Sequence, residues 1–75
     1  MPSNRTADRF RTSTPPRELI EASFLEGELS ARRGGYLAEL IYRGWRNWPG
    51  NERQRAALIG YAVAGFIAAL VSEED

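Results

Sequence analysis

The sequence predicts an all-α protein, a three-helix up-down-up bundle behind a flexible N-terminal arm. Three observations predict it. Apolar residues recur at helical spacing in three segments of the 75-residue chain. Two sharp breaks, Arg32-Arg33-Gly34-Gly35 and Pro49-Gly50, separate those segments. Residues 1–14 offer only Met1, Pro2, Ala7 and Phe10 as apolar side chains, too few to bury a face. The expected organisation is a flexible basic arm over 1–14 and a single three-helix domain over 15–75.

The first helix is expected to start at Thr14-Pro15-Pro16, with Thr14 as a cap and proline in the first turn, where it loses no helical hydrogen bond. Glu18 and Glu21 suit the positive end of its dipole. Leu19, Ala22, Leu25 and Leu29 fall on one side, and Ile20, Phe24, Gly27 and Ala31 on another. A helix with two apolar sides needs two neighbours, and Gly27 permits close approach. Gly34-Gly35 reads as a C-cap and turn.

The second helix is expected over about 36–48. Leu37, Leu40, Ile41, Gly44, Trp45 and Trp48 make one wide apolar stripe, opposite Glu39, Arg43, Arg46 and Asn47. Glu39 stands four residues before Arg43, the favourable order for a surface pair. Pro49-Gly50 ends the helix.

The third helix opens at Asn51, an N-cap, with Gln54 three residues on as in a capping box. No charge occurs from Ala56 to Ser72. Large side chains (Ile59, Val63, Phe66, Ile67, Leu70, Val71) gather on one side. Small ones line another: Gly60, Ala64 and Ala68, with Ala57, Gly65 and Ala69 nearby and Leu58 and Tyr61 among them. A helix apolar all round must be covered all round or lie in lipid. Two sibling helices cannot surround it, so one side is expected to stay open in a monomer.

Composition excludes much chemistry. Ten arginines balance ten acids, so the net charge is zero, unlike a simple polyanion binder. There is no Cys, His or Lys. A disulfide framework, thiolate metal sites, the commonest general base and the Schiff-base nucleophile are therefore absent. The pairs Glu18/Glu21 and Glu26/Glu28 read as a solvated acidic face. The expectation is no enzyme, no cofactor and no metal. No apolar stretch of signal-peptide type follows Met1, and a cytoplasmic location is expected.

Charge alternates in blocks: +3 over 1–17, −4 over 18–31, +4 over 32–55 and −3 over 56–75. An up-down-up arrangement then gathers Arg17, Arg43, Arg46, Arg53 and Arg55 at one pole and the acids at the other.

The leading functional expectation is a small protein-binding or assembly module, acting as a homodimer or by docking on a larger protein. That profile is shared by small accessory proteins of phages and of protein complexes. One contact surface is expected at Leu58, Tyr61, Gly65 and Ala69, and another at Ile20, Phe24 and Gly27. An antiparallel dimer through the third helix would cross near Val63 and Ala64. It would bring Arg53 and Arg55 of one copy towards Glu73 and Glu74 of the other.

Two alternatives stand beside it. One is nucleic-acid binding, with Arg5, Arg9 and Arg11 of the arm and Arg43 and Arg46 of the basic pole as anion contacts beside Trp45 and Trp48. The other is a small membrane subunit with the third helix in the bilayer. That helix's 16 uncharged apolar residues, Ala56–Val71, reach about 24 Å, short of the ~30 Å hydrocarbon core.

Overall fold

A proline pair decides where the first helix begins. The residue before a proline is driven out of helical geometry, so Pro15 cannot be helical and the helix waits for Arg17. In the computed structural model, which describes residues 14–74, Pro16 occupies the N-cap position with φ −58° and ψ 147° and no side-chain cap hydrogen bond. Thr14 is therefore not the N-cap residue. Helix α1 spans Arg17–Arg32, α2 spans Leu37–Asn47 and α3 spans Glu52–Glu74, and no strand occurs among the described residues.

The breaks behave as their chemistry requires. Gly34 takes φ +76°, a left-handed conformation that a residue with a Cβ resists. Its N–H donates to the Ala31 carbonyl at 3.0 Å, and Gly35 N–H donates to the Ser30 carbonyl at 2.8 Å. These two bonds form a Schellman motif and satisfy the last carbonyls of α1. Tyr36 and Trp48 bracket α2 as extended cap residues. Gly50 at φ +101° lets the chain turn into α3. There the expected capping box is closed both ways: Gln54 N–H donates to Asn51 Oδ1 at 2.9 Å, and Asn51 N–H donates to Gln54 Oε1 at 3.0 Å.

The core is built on close helix contact. α1 buries a line of small residues, Ser23, Gly27, Ser30 and Ala31. This line takes Gly27 and Ala31 from the second expected side and adds the neighbouring Ser23 and Ser30, and Leu25 and Ala22 of the first side are left exposed. It meets Leu58, Ala62, Gly65, Phe66 and Ala69 of α3, all buried. A methyl group on Gly27 would overlap the Ala62 carbonyl oxygen, and one on Gly65 would overlap the Phe24 carbonyl oxygen. Each helix thus lays a glycine on the other's backbone. Ser23 satisfies its own hydroxyl by donating to the Ile20 carbonyl at 2.9 Å, so it needs no polar partner from α3.

α2 packs chiefly on α3 and barely on α1. Leu40 is fully enclosed. Gly44 is held between Ile59 and the Trp48 ring, where an added methyl would lie 2.8 Å and 3.1 Å from its neighbours. Arg43 does not form the expected surface pair with Glu39. Its Nη1 reaches Glu26 Oε1 across the gap to α1 at 3.8 Å.

Gly27→Ala and Gly65→Ala are each expected to destabilise the fold by about 2 kcal/mol or more, because backbone atoms cannot move aside for the new methyl. Urea denaturation followed by circular dichroism measures this. Gly60 faces open space, so Gly60→Ala in dilute solution should show the opposite sign, a gain of about 0.5–1 kcal/mol from helix propensity.

Candidate functional site

With α1 and α2 in place, α3 is covered on one side only. The buried side carries Leu58, Ile59, Ala62, Gly65, Phe66 and Ala69. The other side carries Ala56, Gly60, Ala64, Ile67 and Val71, flanked by Tyr61, Ala68 and Leu70, and all eight are exposed. Ile67 and Val71 each show more than half of their surface, 51% and 55%. Only a third of the apolar span Glu52–Ser72 is buried, and that span of 21 residues is long and apolar enough to cross a membrane.

The open side of α3 coincides only in part with the one the sequence pointed to, since Gly60, Tyr61, Ala64 and Ala68 are exposed. Leu58, Gly65 and Ala69 are buried, as is Gly27 of α1, and they form the intramolecular contact. They are not free to meet a partner in this arrangement. The reason is steric: Gly27 and Gly65 let the two backbones touch, which turns Leu58, Phe66 and Ala69 inward with Gly65 and leaves Ile67, Leu70 and Val71 outward beside Gly60, Ala64 and Ala68. The spacing of glycines carried that signal. Gly27 and Gly65 are the positions where a side chain on either helix would strike backbone, while nothing inside the chain crowds Gly60.

Three of the expected contact residues do come together. Ile20 and Phe24 of α1, with the edge of Glu21, form an apolar groove against Tyr61 and Ala64 of α3. Through Ala64 the groove runs directly into the open face. The two surfaces expected separately thus become one surface, with Gly27 and Gly65 as the seam beneath it.

Two of the basic residues expected at one pole lie over aromatic rings of α2. The Arg55 guanidinium lies over the Trp45 ring, 5.8 Å from its centroid, and Nη1 is 3.4 Å from the Trp45 carbonyl oxygen. Arg46 lies over Tyr42 at 5.6 Å and donates to its hydroxyl at 2.9 Å. Nε of both Arg43 and Arg55 is buried, so these stems pack along the protein. Arg53 is exposed at the first turn of α3, on the open side. Glu73 and Glu74 are the last two residues of α3. The arm with Arg5, Arg9 and Arg11 lies outside the described residues.

A second concavity of about 240 Å³ opens between α1 and α2 because those helices scarcely touch; Leu19, Glu26, Leu40, Arg43 and Trp48 are among its lining residues. Three of the four acids of α1 are engaged in exposed or half-exposed ion pairs: Glu21 with Arg17 at 3.0 Å, Glu28 with Arg32 at 3.7 Å, and Glu26 with Arg43. Among the described residues no three acids converge as metal ligands would. Comparison with protein-family models, curated proteins and solved structures found no match.

Glu26→Gln should cost no more than about 0.5 kcal/mol, with the difference vanishing in high salt, since both partners of the Arg43 pair meet water. Trp48→Ala should cost about 2 kcal/mol, because it removes a half-buried ring from the Gly44 contact. Thermal unfolding of the two variants side by side, at low and high ionic strength, separates the charge effect from the packing effect.

Proposed function

We propose that this chain is a small non-enzymatic assembly module, a three-helix up-down-up bundle that docks on protein through the open face of α3 and the adjoining groove of α1. The observation that carries this reading is the continuity of the face. From Ala56 to Ser72 the helix has no charge, half of its circumference is uncovered, and the Ile20–Phe24–Tyr61–Ala64 groove extends it onto a second helix. Soluble monomers rarely present a contiguous apolar surface of that kind unless something covers it. Aromatic and aliphatic side chains beside small ones offer both anchors and depressions.

The order of contacts supports the up-down-up path. Leu19 lies beside Leu58, and Gly27 lies on Ala62 and Phe66 further along. Such an order of contacts fits α1 and α3 running the same way with α2 returning along α3.

Two observations weigh against the alternatives. A bilayer around α3 would have to take in α1 as well, and Glu21 and Glu28 lie level with Tyr61–Gly65 in the middle of α3. Carboxylates at that depth cost about 2.5–3.5 kcal/mol each on the insertion scale. For nucleic acid, Arg55 and Trp45 are stacked on each other rather than offered to phosphate and base, and the net charge is zero.

Ile67→Glu tests the reading. It should leave helix content and unfolding intact, because Ile67 is on the exposed side. It should also abolish an association that survives high salt, as seen by native mass spectrometry and chemical cross-linking of the full chain. An association that weakens steeply with salt and ignores Ile67→Glu would point to phosphate contacts instead.

A further inference from the structure

We infer that the partner for the open face of α3 is a second copy of this chain, bound antiparallel about a two-fold axis between Val63 and Ala64. The inference rests on the docking reading above and names its occupant.

The argument is a coincidence of registers. Arg53 stands on the open face at one end of α3, and position 74, the last of the helix, falls on the same side by helical periodicity. An antiparallel neighbour that sets Arg53 against Glu74 of the other copy fixes the alignment of everything between. In that one alignment Ala56 faces Val71, and Gly60 faces Ile67. Along the centre line of the face the N-terminal half is small (Ala56, Gly60, Ala64) and the C-terminal half is large (Ile67, Val71), with Tyr61, Ala68 and Leu70 on the flanks. Each copy's large half therefore meets the other's small half, twice, by symmetry. A parallel pair would instead set Arg53 on Arg53 and leave a gap at Gly60 opposite Gly60. Charge and volume thus choose the same orientation and the same axis.

Gly60 adds an independent point. A glycine inside a helix lowers stability unless something uses the missing side chain. Gly27, Gly44 and Gly65 are each used within the chain, whereas nothing lies within 4 Å of where a Cβ on Gly60 would be. The inward projection of Ile67 from a second copy uses it. The groove at Ile20 and Phe24 flanks the same face, so α1 of each copy widens the contact and a four-helix layer results.

Sedimentation equilibrium of the full chain, from low to high micromolar concentration, is the test. The expected result is a reversible species of twice the 8.4 kDa chain mass. Gly60→Leu should weaken it by at least about tenfold by filling the depression, while circular dichroism and unfolding in dilute solution show the monomer fold retained. Arg53→Glu should weaken it about tenfold, because the two-fold axis counts the altered pair twice. Adding Glu74→Arg to that variant should restore the wild-type dissociation constant within about threefold.

A chain that remains 8.4 kDa at all concentrations overturns the inference. So does a dimer indifferent to Gly60→Leu, or a charge swap that fails to restore association. If the chain is monomeric yet Ile67→Glu removes a cross-link to a different protein, the self-pairing is wrong and the docking reading stands. Monomers that co-float with phosphatidylglycerol vesicles would overturn both in favour of a lipid surface.

Discussion

The reciprocal glycine contact between α1 and α3 is the constraint on which the rest depends. Gly27 rests on the Ala62 carbonyl and Gly65 on the Phe24 carbonyl, so the two backbones touch at two points. Two points fix both the register and the rotation of one helix against the other. Once that rotation is set, every other residue of α3 is assigned a side. Leu58, Ala62 and Ala69 go in, and Ile67, Leu70 and Val71 go out. The exposed apolar face is the geometric consequence of bringing the two helices together at Gly27 and Gly65.

Much of the local structure was legible in the sequence. Asn51 and Gln54 announce a capping box because those two side chains can answer each other's backbone donors. Gly34-Gly35 announces a Schellman turn because only glycine takes φ +76° without strain. Pro49-Gly50 ends α2 for the complementary reason that proline has no N–H to give. These signals work because they are properties of a few neighbouring residues.

The sidedness of α3 is a different kind of information. Hydrophobic periodicity locates a buried face by contrast, and a helix with apolar residues at every angle has no contrast to offer. Choosing which side turns inward needs the partner's shape, and α1 carries Ser23, Gly27, Ser30 and Ala31 on the line that meets it. Size matching between distant segments, rather than polarity within one, settles the question. The same holds for Arg43, whose spacing from Glu39 suits a local pair but whose nearest carboxylate is brought by tertiary packing. Bringing Ile20 and Phe24 together with Tyr61 was likewise invisible to either helix alone, although each residue stood out as unneeded by its own core.

α2 is fastened unevenly. Leu40, Gly44 and Trp48 attach it to α3, but across the gap to α1 it has little more than one long, half-exposed ion pair. Its amides therefore guard themselves with far less than the free energy of the whole domain. α1 and α3 lie apart in the chain and meet across the whole length of α2, so their pairing carries the loop-closure entropy of that segment. α2 then becomes the first part to open and the last to lock, a hinged flap on a two-helix spine, and solvent deuterium should enter it well before the spine yields.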